Sequence, residues 1–116
     1  MFVSELVVTL VEESNWKRAK WRLTYPLVWR SPGYCIIVPT GYKTDFASVP
    51  RVFGTWLLFG GVANEAATLH DYLCDVKILT TKESNKLFYE AMLSTGIGKW
   101  KAWCMYQAVH LFGPKW

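Results

Sequence analysis

The chain is 116 residues long, a length that fits one domain. With 52% hydrophobic and 19% charged residues it is too apolar for whole-chain disorder. Its net charge is +4, from 13 Lys and Arg against 9 Asp and Glu. That is mild for a surface meant to displace counterions from phosphate, so no nucleic acid is expected as a partner. No stretch reaches the ~18 consecutive apolar residues of a membrane-crossing helix. Residues 52–63 come nearest and are broken by Gly54, Thr55, Gly60 and Gly61. The start of the chain lacks the basic, apolar and small-residue succession of a secretory leader. Cys35, Cys74 and Cys104 are odd in number and show no CxxC spacing, which points to a reducing compartment.

The first half reads as strands. Residues 2–13 are rich in Val and Leu with partial alternation, and residues 20–25 alternate cleanly. Lys20 and Arg22 form the wet face of that second strand, between Trp21, Leu23 and Tyr25. Residues 34–38 make a short β-branched run between Ser31-Pro32-Gly33 and Pro39-Thr40-Gly41. Pro26 and Pro32 limit pairing of the residues between them. From Gly41 to Arg51 the chain reads as a loop held by its own side chains, with Asp45 and Ser48 bonding nearby amides.

The second half reads as three helices. The first covers about 63–76, with Ala63, Ala66, Ala67, His70 and Cys74 on one face. The second begins at Thr80, which forms a capping box with Glu83, carries a stripe of Leu87, Phe88, Ala91 and Met92, and ends at Gly96. The third covers about 99–112 and stops at Gly113-Pro114. Trp103 and Tyr106 are assigned to its apolar stripe. Strands first and helices second predict an α+β fold: a single domain over 1–116, with an N-terminal antiparallel sheet packed against about three C-terminal helices.

Two segments carry the polar residues of interest. One is the loop containing Asp45, Ser48 and Arg51. The other is the helix containing His70 and Asp71, adjacent and ~100° apart around the axis, so that both can border one cleft. Two readings follow. In the first, Asp45, His70 and Asp71 form a buried hydrogen-bond network tying loop to helix, with Arg51 pairing a carboxylate. In the second, the same cluster is a catalytic or metal site. A zinc set of His70 and Cys74 with Cys104 or His110 is a further alternative, set against the ordinary burial of free Cys as a small hydrophobe. Residues 52–62 hold Phe53, Trp56, Leu57, Leu58 and Phe59. Buried, they are core; exposed, Trp56 and Phe59 mark a partner or lipid surface to which Trp100, Trp103 and Trp116 add.

Several blocks together resemble the phage and prophage family catalogued as domain of unknown function 1353. They are Val38-Pro39-Thr40-Gly41-Tyr42, Thr44-Asp45-Phe46-Ala47-Ser48-Val49-Pro50-Arg51 and Ala66-Ala67-Thr68-Leu69-His70-Asp71-Tyr72-Leu73. Phe88-Tyr89-Glu90-Ala91-Met92, Met105-Tyr106-Gln107-Ala108-Val109 and Phe112-Gly113 complete the pattern over nearly the whole chain. The chain departs from it at Cys74, where the family tends to have Tyr. The resemblance implies a phage-encoded accessory or virion-associated protein, in the host cytoplasm or the virion, with a phage or host protein as partner and no cofactor. A shorter stretch, Ala66-Ala67-x-x-His70-Asp71, resembles the helix motif of phospholipases A-two. That likeness implies the alternative of a calcium-assisted ester hydrolase able to touch a membrane. His70 would be its general base, Asp71 a calcium ligand, and Asp45 the second acid or a further ligand. The glycine-rich calcium loop and the disulfides of those enzymes are absent from the sequence.

Overall fold

The computed structural model describes residues 2–4, 6–12, 20–44 and 64–116. Asp45, Ser48, Arg51, Trp56 and Phe59, and with them the loop and the apolar segment that follows, lie outside the described residues. The chain divides into two compact units, residues 1–45 and 46–116.

The described strands of the first unit all pair antiparallel. β1 (Val8–Glu12) pairs with β2 (Lys20–Leu23), and β2 pairs in turn with β5 (Lys43–Thr44), giving a three-stranded sheet in the order β1-β2-β5. Val8 stands opposite Leu23 and Leu10 opposite Trp21, and the register slips between Leu10 and Glu12 as a β-bulge. β3 (Leu27–Ser31) and β4 (Tyr34–Val38) form a separate hairpin, with Leu27 opposite Val38 and Trp29 opposite Ile36. Those four side chains are buried, while Cys35 and Ile37 point outward, as the two-residue side-chain period of a strand requires. Residues 27–31 are therefore a paired strand, against the sequence expectation that the two prolines would restrict them. Pro26 precedes the strand and Pro32 sits in the turn, so neither removes an amide that the ladder uses. Pro32 presets the first turn position, and Gly33 supplies the second with φ 88, a backbone region costly for side-chain-bearing residues. The residues after Gly41 add a strand pair not expected there: Thr44 lies opposite Trp21.

The described residues of the second unit are mainly helical. α1 (Asn64–Val76), α2 (Thr81–Ser94) and α3 (Lys99–Phe112) follow one another, with α1 meeting α2 and α2 meeting α3. Thr80 caps α2 as its spacing predicts: Thr80 Oγ1 accepts from Glu83 N at 3.1 Å, and Thr80 N donates to Glu83 Oε1 at 3.2 Å. α2 ends in a Schellman turn, in which Ile97 N donates to Met92 O and Gly96 N to Leu93 O. Gly96 makes this turn by taking φ 93. The core of this unit is Leu69 and Leu73 from α1, Leu87, Phe88, Ala91 and Met92 from α2, and Ala102, Met105, Ala108 and Val109 from α3, all buried. Trp116 is held at the foot of α2, its indole Nε1 donating to Leu79 O at 2.8 Å and its amide to Thr81 Oγ1 at 2.9 Å. The α+β class stands, with antiparallel strands in the first unit and three helices in the second.

Candidate functional site

His70 sits in the second turn of α1 and faces α2. The small side chains of Ala66 and Ala67 lie on the same buried face, one turn earlier. The imidazole is only 1% exposed. Its Nε2 lies 2.7 Å from Asn85 Oδ1, and Phe88 packs beside the ring with centroids 4.9 Å apart. With the amide oxygen toward the ring, Nε2–H donates and Nδ1 carries the lone pair. Nδ1 faces Cys74 Sγ at 3.8 Å, one turn along the same helix.

Burial sets the electrostatics of this cluster. Removal from water disfavours the charged imidazolium and lowers the His70 pKa to about 4, against a smaller upward pull from the Asn85 hydrogen bond. The same effect pushes the Cys74 thiol up to about 12. Asp71 and Asp75 add to that rise and Lys77 opposes it. Cys74 is thus a protonated thiol at neutral pH and a poor nucleophile. Ser84 Oγ and Asn85 Nδ2 are buried without hydrogen-bond partners among the described residues. Each stays inside helix α2 at the cost of a lost hydrogen bond to water.

Asp71 is buried next to His70 in sequence. Among the described residues no three His, Cys, Asp or Glu side chains gather as a metal site, and His70 with Cys74 is not extended to a zinc set by Cys104 or His110. The partner of His70 among those residues is Asn85, which the sequence reading did not single out. The available signal was an Asn within a helix that otherwise presents Leu87, Phe88, Ala91 and Met92 inward. An amide at such a position needs a buried partner.

A second feature is the exposed apolar surface of α3, on the side away from its core face and at its C-terminal end. Trp100 is 74% exposed, Trp103 54%, Leu111 58% and Phe112 75%. Trp103, Cys104, Gln107, Ala108, Leu111 and Phe112 line a groove of about 400 Å³. Trp103 is therefore not part of the inward stripe expected for this helix, since that stripe consists of Ala102, Met105, Ala108 and Val109, with Tyr106 half-buried at its border. Trp116 does not join the exposed aromatics either, because its indole is tied to Leu79.

The fold and these two features define an α+β protein with a buried His–Asn node and an exposed aromatic helix face. The chain belongs to the family described as protein of unknown function (DUF1353), which it matches over residues 21–109. It is 40% identical over 83 residues to the uncharacterized protein y4jT of Sinorhizobium fredii, covering 68% of this chain and 24% of that protein. It is 38% identical over 78 residues to the uncharacterized protein y4iH of the same organism, covering 64% of this chain and 32% of that protein. The chain thus spans less than a third of the length of each of these relatives. No solved structure matches it with significance.

Proposed function

We propose that this chain is a small phage-encoded accessory or virion-associated protein that acts through protein contacts made by the outer face of α3. The observation that carries this reading is the apolar stripe of Trp100, Trp103 and Leu111, left in water on a helix whose other face is already core, with Phe112 exposed at the helix end. A helix apolar on all sides is normally covered on all sides, and exposed aromatic clusters mark contact surfaces. The phage setting rests on the family resemblance of the sequence blocks. On this reading the His70–Asn85 pair holds α1 to α2, and so supports the bundle that presents α3. The test compares wild type with Trp103→Glu and with Phe112→Glu for co-sedimentation with phage particles and for capture of purified particle proteins. A defined protein bound by wild type and lost with both variants, at unchanged thermal midpoint, supports the reading. Equal binding by all three chains overturns it.

The second reading is the calcium-assisted ester hydrolase with His70 as general base and Asp71 and Asp45 as ligands. One observation favours it: the imidazole is neutral, oriented through Nε2, and keeps a lone pair on Nδ1. Burial of the ring weighs on the other side. Calcium-dependent hydrolysis of a phospholipid or activated ester, abolished by His70→Gln, would establish this reading. Its absence with and without calcium would end it.

A further inference from the structure

His70 and Cys74 lie one turn apart on α1, at the i, i+4 spacing that brings two side chains over the same patch of a helix. Nδ1 of the imidazole faces Cys74 Sγ at 3.8 Å. The other ring nitrogen is fixed: Nε2 donates to Asn85 Oδ1 at 2.7 Å, which turns the lone pair of Nδ1 toward the sulfur. Among the described residues that lone pair, on a ring only 1% exposed, meets a thiol, which is a weak donor. Metal-binding histidines are oriented in the same way, by a hydrogen bond from the ring nitrogen that does not bind the ion. Bonds of ~2.0 Å to nitrogen and ~2.3 Å to sulfur close over the 3.8 Å gap with roughly 120° at the ion, the angle of a three-coordinate centre. The local field also favours a cation. Asp71 and Asp75 make the Cys74 thiolate harder to form, with Lys77 opposing them, and the same two negative charges draw a positive ion toward that sulfur. Cys74 is half-buried, so the sulfur can be reached from solvent.

We propose that His70 Nδ1 and Cys74 Sγ bind a soft monovalent metal ion, Cu(I), whose third position is left to an external ligand. This inference goes beyond the α3 reading and does not rest on it. The ligand atoms decide the class of ion. Thiolate and imidazole suit copper and zinc, whereas calcium and magnesium take oxygen. Their number decides between the two. Zinc is held by three or four protein ligands, and among the described residues no third His, Cys, Asp or Glu joins this pair. Cu(I) accepts fewer ligands than zinc. On binding, the ion takes the place of the thiol proton: the S–Cu bond forms as the S–H bond breaks, the proton leaves to solvent, and no electron is transferred. The imidazole has no proton to lose at Nδ1, because its N–H is the one held by Asn85.

The test uses the full chain with Cys35→Ser and Cys104→Ser, which keeps Cys74 as its single thiol. It is titrated with Cu(I) under argon against a bicinchoninate chelator whose colour reports the ion it holds, and separately with Zn(II). One Cu(I) per chain is expected. In the same background His70→Gln is expected to bind at least about tenfold more weakly, and Cys74→Ser at least about a hundredfold more weakly. Zn(II) is expected to bind at least about a hundredfold more weakly than Cu(I). Equal Cu(I) affinity in His70→Gln overturns the site and leaves a lone thiol. Zinc binding as tight as that of Cu(I) overturns the choice of ion. Since His70→Gln disturbs a buried pair and can loosen α1 from α2, nitrogen NMR of the unaltered histidine is the second readout. Cu(I) is expected to shift the Nδ1 resonance and to leave Nε2 protonated. An Nδ1 resonance unmoved by saturating Cu(I) overturns the proposal, whatever the variants do.

Discussion

His70 does its work as an uncharged group. In the unfolded chain it takes up a proton near pH 6.5, while in the folded chain burial delays that uptake to about pH 4. Below pH 6.5 the unfolded state therefore binds the extra proton, and stability is lost as pH falls from 6.5 toward 4. At ~1.4 kcal/mol per pKa unit the loss amounts to about 3 kcal/mol over that window. Urea midpoints of wild type are expected to fall more steeply between pH 7 and pH 4.5 than those of His70→Gln. Parallel slopes would mean that the imidazole is not buried neutral. At pH 7, His70→Ala is expected to cost roughly 2–3 kcal/mol, because it leaves a cavity and strips Asn85 Oδ1 of its donor. Asn85→Ala removes the other half of the same bond, so the double variant is expected to cost less than the sum of the singles by about 1 kcal/mol. A strictly additive cycle would show that the 2.7 Å contact contributes nothing. The partner of His70 was not legible in the sequence. A helical Asn carries no periodic signal that names the residue opposite it, and only the packing of α1 on α2 brings positions 70 and 85 together.

The elements were more legible, for local reasons. Capping boxes, glycine stops and apolar periods act over a few residues, so the three helices could be placed from the sequence almost to their ends. Thr80 illustrates a local signal with a local energy. Thr80→Ala removes the acceptor for Glu83 N and is expected to lower stability by about 1 kcal/mol, whereas Thr80→Ser is expected to keep most of it. The end of α1 is a place where the local rule is broken. Lys77 follows the helix with φ 54, a left-handed backbone normally given to Gly or Asn. Lys77→Gly is expected to raise the thermal midpoint, by an amount equivalent to roughly 0.5–1 kcal/mol. A lowered midpoint would mean that the Lys side chain contributes more than its backbone strain costs. β3 shows the opposite lesson. Its two flanking prolines read as obstacles in the sequence, yet a proline obstructs pairing only where its missing amide is needed, and the hairpin places both outside the ladder.

At the scale of the whole molecule, the composition hid a decision about surface. A chain that is 52% hydrophobic with seven tryptophans has more apolar side chains than its core positions on α3 use. The surplus appears on the outer side of that helix as Trp100, Trp103 and Leu111, and at its end as Phe112. An uncovered patch of this kind lowers solubility. Trp100→Lys with Leu111→Lys is expected to raise the concentration at which the protein precipitates while shifting stability by less than about 0.5 kcal/mol. A large loss of stability would instead place those side chains in a core.

The sequence by itself determined the α+β class, the succession of strands first and helices second, the capping of α2 and the placing of His70 on one helix face with small alanines. Each of these follows from residues close together in the chain. The tertiary structure alone decided that Asn85 meets His70, that residues 27–31 pair with β4, and that Trp103 faces water while Ala102 and Met105 face inward. The physical reason is the same in each case. α3 carries large apolar side chains on both of its faces, and an apolar period cannot tell which face will meet another helix until that helix is in place.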